Sequence, residues 1–213
     1  MGRYGSAQQR AILEAAVAVF AEKGLKGATI RLVGRQAGVN SALIYYYYEN
    51  KRKLFEDAIR MVFGDFLLML DRHKKPFPDA RARITFLVNG IFDYYETRRA
   101  RMLLMMQVFN MHIRLLADII LDIISKKQPL PLMVLQEGML RKELKPFSPL
   151  PLWWNLLGMC MFTIQAREIA ARLNQKDLRR ALPRLPSLAK RKKEIIELLL
   201  SGLAMPPRQL KIK

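Results

Sequence analysis

The fold is decided by residues 29–51, which read TIRLVGRQAGVNSALIYYYYENK. Thr29 predicts the cap of a short helix, Gly38 marks a tight turn, and Asn40 or Ser41 caps a second short helix. Two short helices that meet across a glycine turn and pack on an earlier helix have helix-turn-helix geometry. We therefore expect a helix-turn-helix motif in this stretch.

The two faces of the motif carry different side chains. The residues that can face the core are Val33, Ala37, Val39, Ile44 and Tyr48. The residues left for the outer face are Arg31, Ser41, Ala42, Leu43, Tyr45, Tyr46 and Tyr47. Because a helix turns every 3.6 residues, some of four consecutive tyrosines must lie outside, where a hydroxyl can bind a phosphate while the ring packs on sugar. A buried aromatic cluster is the alternative, and we expect it for Tyr48.

Proline clusters divide the rest of the chain into helices. No proline precedes Pro76, and the later ones lie between stretches whose apolar residues recur at helical spacing. The predicted helices are 6–24, 29–36, 40–46, 51–71, 84–95, 98–124 with a candidate break near Asn110, 131–141, 149–173 and 187–203. No segment alternates at period two, so the predicted fold class is all-α.

Composition indicates a globular protein with a polyanionic partner. The chain has 213 residues, of which 51% are hydrophobic, and a formal net charge of +19. This charge favours nucleic acid first and an anionic membrane surface second. The single cysteine excludes a disulfide framework within the chain, and no segment has the roughly 18 apolar residues of a membrane span. We expect a cytoplasmic protein that has no secretory signal and does not enter a membrane.

An ordered set of residues at fixed spacing extends from Ser6 to Phe66. The set consists of an Ala-rich first helix with Phe20 and Gly24, then Thr29, Ala37-Gly38-Val39, Tyr45, Tyr47-Tyr48, and Lys51 followed by Leu54-Phe55. In this set the sequence resembles the tetracycline-repressor (TetR) family of one-component regulators. The resemblance implies a DNA-binding domain over residues 6–66, with the helix-turn-helix at 29–48. It also implies a larger helical domain over 67–205 that binds an effector and forms a homodimer.

The resemblance also assigns DNA contacts by position. It implies phosphate contacts for Thr29, Tyr45, Tyr47 and Lys51, and base contacts for Arg31, Ser41, Ala42 and Leu43, while Tyr46 joins the DNA-facing set. Of the base-reading side chains, Arg31 is the strong candidate for a bidentate contact with guanine. Much of the specificity is therefore expected to come from DNA shape and deformability.

Two positions depart from the family pattern. Asn40 stands where Ser is common and is an equally good cap. Gly34 stands where Ala is common, and we expect it to weaken its helix by up to about 1 kcal/mol.

The C-terminal part is rich in methionine, a flexible side chain that suits an adaptable pocket. The resemblance places an effector site here, with Met102, Met106, Phe109 and Trp153 as its expected lining. It also implies a four-helix dimer interface built from the last two helices. The apolar stripes that permit this interface are Leu156, Leu157, Cys160 and Ile164, and Ile195, Ile196, Leu199 and Leu203.

These observations predict a ligand-responsive transcriptional regulator, most simply a repressor that binds a palindromic operator as a homodimer. An apolar or amphipathic effector would release it, and the basic stretch 167–193 slightly favours an effector with an acidic group. No nucleophile or acid/base motif is present, and His73 and His112 lack partners at metal-ligand spacing, so we expect no enzyme activity, metal or cofactor.

Two alternatives remain open. Residues 61–213 contain 27 basic and 13 acidic side chains against 10 and 5 in residues 1–60, so most of the excess charge lies outside the expected DNA-binding domain. The charge and the poor base-reading set would also suit an architectural protein that binds DNA without sequence preference. A small-molecule enzyme that uses the helical pocket is the second alternative.

Overall fold

A computed structural model describes residues 6–73, 75–126, 128–172 and 186–205. In these ranges it contains ten helices and, besides them, one isolated antiparallel bridge between Leu144 and Ala204. The helices are α1 (Ala7–Gly27), α2 (Ile30–Ala37), α3 (Ser41–Tyr47), α4 (Lys51–Asp71), α5 (Ala80–Thr97), α6 (Arg99–Met111), α7 (Ile113–Lys126), α8 (Leu130–Leu140), α9 (Pro149–Arg172) and α10 (Leu188–Leu203). The predicted all-α class is confirmed. None of the described helices is long and apolar enough to cross a bilayer.

Local caps determine where the N-terminal helices begin. In each case a side-chain oxygen accepts a hydrogen bond from a backbone N–H of the first turn, which satisfies an otherwise unpaired donor. The pairs are Ser6 with the N–H of Gln9 (3.1 Å), Thr29 with Leu32 (3.2 Å), Asn40 with Leu43 (2.9 Å) and Asn50 with Lys53 (2.9 Å). Asn40, rather than Ser41, therefore caps α3.

The predicted helix 98–124 is divided into two. α6 ends at Met111, and His112 leaves the helical region with φ −134° and ψ 47°. The sequence predicts a break near Asn110, and the structure places it two residues later, at His112. The last residue of the predicted helix 149–173 lies outside the described residues.

The chain forms two compact units, the first of which contains Met1–Arg72 and Tyr94–Lys127. In this unit α1 packs against α4 and α6, and the rings of Phe20 and Phe55 meet edge to face with centroids 4.9 Å apart. Because α6 and α7 group with the helix-turn-helix segment, the boundary of this unit differs from the expected domain boundary after residue 66.

A buried arginine connects three helices of the first unit. Arg101 of α6 is 5% exposed and donates through Nη1 to Asp65 of α4 and through Nη2 to Glu14 of α1. Nearby, the hydroxyl of Tyr94 donates to the carbonyl oxygen of Val62 at 3.0 Å, and burial raises the pKa of this phenol to about 12. These polar groups hold α4 against α1 and α6.

The second unit contains His73–Asp93 and Gln128–Lys213. Its core also encloses an arginine: Arg83 of α5 is fully buried and donates to Glu143 at 2.7 Å and to Glu137 of α8 at 3.1 Å. On the surface of the same unit, Arg81 forms a bidentate pair with Glu197 of α10. Polar contacts therefore link α5 to both α8 and α10.

Candidate nucleic-acid interface

The helix-turn-helix core is built by three side chains. Val33 of α2, Ile44 of α3 and Tyr48 after α3 are all at most 1% exposed. Ala37 and Val39 are half-buried, so the expected core set holds fully for three of its five members. Gly38 ends α2 in the left-handed conformation, with φ 68° and ψ 30°, which a residue with a Cβ adopts only at a cost.

Gly34 has a role that differs from the sequence expectation. The backbone N–H of Val39 donates to the carbonyl oxygen of Gly34 at 2.9 Å, so the chain folds back closely on α2. A Cβ on Gly34 would lie 2.8 Å from the carbonyl oxygen of Val39, a backbone atom that cannot move without the turn. The low helix propensity of glycine is therefore accompanied by a close approach that alanine does not permit.

We expect Gly34→Ala to destabilise the protein and weaken DNA binding, although alanine is the better helix former. The new methyl group must push the turn, and with it α3, away from α2. Gly27→Ala is the matched control, since a Cβ there meets only the Cβ of Lys23 at an ordinary 3.5 Å. Thermal unfolding and DNA titration of both variants test this expectation, and an unchanged or more stable Gly34→Ala protein would contradict it.

The predicted DNA-facing residues lie on the accessible side of the motif. Tyr46 and Tyr45 are 80% and 56% exposed. The remaining members are exposed (Thr29, Arg31 and Ala42) or half-buried (Ser41, Leu43, Tyr47 and Lys51). One continuous helix-turn-helix segment thus presents the guanidinium of Arg31 and two exposed phenols, and this combination can bind phosphates and base edges.

The last two tyrosines of the run anchor α3 to α1. The hydroxyls of Tyr47 and Ser6 lie 3.2 Å apart, and the hydroxyl of Tyr48 donates to the carbonyl oxygen of Gln9 at 3.5 Å. Tyr48 is buried, as expected, whereas the hydroxyl of Tyr47 already has a partner within the protein. Tyr45 and Tyr46 are therefore more exposed for outside contacts than Tyr47.

Lys51 has a protein partner that the sequence did not indicate. Its ammonium group donates to the carbonyl oxygen of Ala28 at 2.9 Å, immediately before the cap of α2. Because an ammonium has three N–H donors, this bond leaves two for a phosphate. Lys51 therefore ties the start of α4 to the start of the helix-turn-helix.

The expected dimer-interface residues are buried within the single chain. All eight are at most 8% exposed, namely Leu156, Leu157, Cys160, Ile164, Ile195, Ile196, Leu199 and Leu203. These stripes pack α9 and α10 into the second unit of the single chain, so their side chains are not exposed to a second subunit. Burial also raises the pKa of the Cys160 thiol to about 12, so this thiol is not reactive.

The expected effector residues fall in different units. Met102, Met106 and Phe109 share a face of α6 in the first unit, and Trp153 lies on α9 in the second. Both methionines and Trp153 are buried. In the described part of the chain, no group of three or more histidine, cysteine, aspartate or glutamate side chains is placed to hold a metal ion.

The glycine turn, the buried three-residue core and the exposed outer face of α2 and α3 define a helix-turn-helix motif. Residues 12–58 match the model of the bacterial regulatory proteins, tetR family. Residues 12–58 are therefore similar to the N-terminal segment of TetR-family proteins.

Comparisons with known proteins extend this assignment. The chain is 31% identical over 101 residues to the HTH-type transcriptional repressor NicS of Pseudomonas putida, and the match covers 47% of each protein. The chain spans about half the length of the curated relatives it matches.

Two solved structures share the fold over most of both chains. The fatty acid degradation regulator FadR of Bacillus halodurans has a TM-score of 0.68 at 19% identity, over 92% of this chain and 95% of that one. FadR of Bacillus subtilis, solved in complex with stearoyl-CoA, has a TM-score of 0.67 at 18% identity, over 91% and 98%. At these identities the likeness shows the fold alone.

Proposed function

We propose that the protein is a transcriptional repressor that binds a palindromic DNA operator as a homodimer and is released by a small apolar or amphipathic effector. The observation that carries this proposal is the exposed outer face of the helix-turn-helix, held rigidly by α1 and α4. Residues 6–66 would bind DNA, and residues 67–205 would bind the effector and form the dimer. Double-stranded DNA, a second copy and the effector are thus the proposed partners.

The proposed DNA contacts divide into two groups. Thr29, Tyr45, Tyr46 and Lys51 would bind phosphates, and Tyr47 would do so with its ring and remaining hydrogen-bonding capacity. Arg31 would read guanine, and Ser41, Ala42 and Leu43 would contact neighbouring base edges. Phosphate contacts position the protein, so their removal should weaken binding to all DNA sequences. Base contacts specify the sequence, so their removal should reduce the preference for the operator.

Selection of bound fragments from a random DNA pool tests the function. A dimeric repressor should enrich a palindrome whose half-sites lie about one helical turn apart, roughly 34–36 Å. Arg31→Ala should relax the preference at one base pair in each half-site. If no sequence is enriched and affinity follows salt alone, the protein is an architectural DNA-binding protein instead.

We expect Lys51→Ala to weaken binding to all DNA sequences alike. Loss of one phosphate contact should reduce the slope of log affinity against log salt by about 0.9 for each protomer. Lys53→Ala is the control, because Lys53 lies two residues away and is paired with Asp57 at 3.0 Å. Titrations at several salt concentrations measure the slopes, and an unchanged slope for Lys51→Ala would remove this residue from the phosphate set.

The exposed face of α9 is the proposed dimer surface, in place of the buried stripes. Residues 149–166 contain no charged side chain, yet Phe162 is 71% exposed and Ile169 further along is also exposed. A Cβ on Gly158 of the same helix would meet open space, so a second helix can approach closely there. A large uncharged exposed face of this kind is typical of protein interfaces.

Phe162→Glu is expected to convert the dimer to a monomer, because it places a charge on that face. Leu140→Glu is the control, since Leu140 lies on α8 of the same unit and is 83% exposed. Sedimentation or light scattering gives the mass, and circular dichroism verifies that both variants are folded. Equal masses for Phe162→Glu and the unsubstituted protein would exclude this face.

The proposed effector site is the methionine-rich face of α6 that carries Met102, Met106 and Phe109. Trp153, in the second unit, is a separate candidate. The structural neighbour that was solved with stearoyl-CoA and the net charge of +19 both favour an acidic amphipathic effector. A coupling of about 1–3 kcal/mol would change operator affinity by roughly 5–150-fold. A ligand screen followed by DNA titration with each hit tests the coupling.

A further inference from the structure

A cavity of about 450 Å³ lies in the first unit, and none of the expected effector residues lines it. Its walls come from Leu25 near the end of α1, from the first two turns of α4, and from residues 111–115 around the break between α6 and α7. Cavities of about 300–1,000 Å³ with mainly apolar walls are the usual size of small-molecule sites. The size and lining therefore fit a small ligand.

The helix break produces this cavity. His112 departs from helical geometry, and its ring packs edge-on against Phe55 of α4 with centroids 5.1 Å apart. On either side of it, Met111 and Ile113 are 72% and 66% exposed. A ligand that covers large exposed apolar side chains beside an apolar cavity removes their surface from water, and this burial favours binding.

The charges at the cavity indicate the class of ligand. Arg52 and Glu56, both in the lining, pair with each other at 3.1 Å and so neutralise one another. Arg114 is exposed, and among the described residues it has no carboxylate partner. The lining thus presents one uncompensated guanidinium above an apolar floor. We propose that this cavity is a ligand site for amphipathic acids, with the apolar part against Leu25 and Phe55 and the acid at Arg114.

Occupation of this site would affect the DNA-binding segment directly. Arg52 and Phe55 belong to the first turns of α4, which begins at Lys51 and is tied through it to Ala28 at the start of the helix-turn-helix. A ligand that bridges Phe55 and Arg114 would therefore shift α4 relative to the helix-turn-helix. This shift would weaken DNA binding, and linkage requires DNA to weaken ligand binding equally. The effect on DNA binding rests on the proposed function, whereas ligand binding itself does not.

Decanoate is a suitable probe, with decanol as its uncharged counterpart, and the whole 213-residue chain is used throughout. The chain has two histidines, and only His112 lines the cavity. In NMR spectra of histidine side chains, assigned with His73→Gln, decanoate should shift the His112 signal and leave that of His73 in place. Ile113→Glu should lower decanoate affinity about tenfold, since it removes apolar contact and repels the acid.

The variants also contain a matched control. Leu121 lies two turns further along α7 and is 67% exposed, almost the same as Ile113, so Leu121→Glu should bind decanoate normally. Arg114→Gln should lower the affinity for decanoate about two- to fivefold and leave that for decanol unchanged. Operator titrations with and without decanoate then measure the coupling separately.

Any one of three results would overturn the proposed site. The first is a His112 signal that does not shift with decanoate, and the second is equal decanoate affinity of Ile113→Glu and Leu121→Glu. The third is a changed mass of Ile113→Glu in solution, which would assign this face to contact with a second copy. Equal binding of decanoate and decanol would overturn the acid preference. If decanoate binds at His112 but operator affinity does not change, the site stands and its coupling to DNA is excluded.

Discussion

Arg101→Met is expected to lower the free energy of unfolding by about 3–5 kcal/mol, one of the two largest single effects we predict. The guanidinium of Arg101 is 5% exposed and is shared between Glu14 of α1 and Asp65 of α4. Its removal leaves Asp65 without its cation and leaves Glu14 with only the longer contact to Arg10 at 4.0 Å, and the cost comes mainly from this poorly compensated charge. Denaturant unfolding followed by circular dichroism measures the loss.

A triple variant distinguishes uncompensated charge from lost packing. When Glu14→Gln and Asp65→Asn accompany Arg101→Met, no buried charge remains, and we expect most of the stability to return. DNA binding should recover with it, because α1 and α4 again hold the helix-turn-helix in place. A triple variant as unstable as Arg101→Met would show that the arginine acts through packing of its stem, and a loss under about 1 kcal/mol for Arg101→Met would refute the argument altogether.

Arg83→Met is expected to destabilise the second unit by about 3 kcal/mol or more at neutral pH. Arg83 is fully buried and donates to Glu143 and Glu137, and its guanidinium lies over the ring of Phe77, 5.4 Å from the centroid. Removal of the cation leaves Glu143 without its ion-pair partner, whereas Glu137 keeps its pair with Arg141 at 2.7 Å. Arg81→Met is the matched control on the same helix: its pair with Glu197 is exposed, so the change should be small.

The loss of unfolding free energy caused by Arg83→Met should become smaller as the pH falls. The hydrogen bond from Arg83 lowers the pKa of Glu137 below its ordinary 4.5. A carboxyl whose pKa is lower in the folded state stabilises the protein above its unfolded pKa, and this contribution is lost as the pH falls through the folded value. The difference in unfolding free energy between Arg83→Met and the unsubstituted protein should therefore be constant near pH 7 and shrink below about pH 4.5. The contribution is modest because the Glu137 side chain is 43% exposed.

Unfolding curves at several pH values test this dependence. A difference between Arg83→Met and the unsubstituted protein that grows on acidification would contradict the assigned role of Glu137. Arg81→Met again serves as the reference, since a large loss there would mean that the exposed pair, rather than the buried one, holds α5 in place.

The features that follow from local physical chemistry are correctly predicted by the sequence. Caps at Thr29 and Asn40 depend on a side chain and a backbone group three residues away, so their pattern is visible in a short stretch. The range of α4, Lys51–Asp71, follows from its apolar spacing. The outer face of α2 and α3 could be assigned because helical periodicity separates it from the core.

The features that depend on residues distant in the sequence were decided by the tertiary structure alone. An apolar stripe such as Ile195 to Leu203 looks the same whether it meets its own chain or a second one, and here it meets its own. Arg83 and Arg101 carry no sequence signal of burial, because their carboxylate partners come from segments distant in the sequence. Gly34 appeared unfavourable by helix propensity, yet the close approach of the Val39 carbonyl requires it. Propensity and periodicity describe one segment at a time, whereas burial, charge pairing and close contact are properties of two segments, and only the folded chain specifies which two meet.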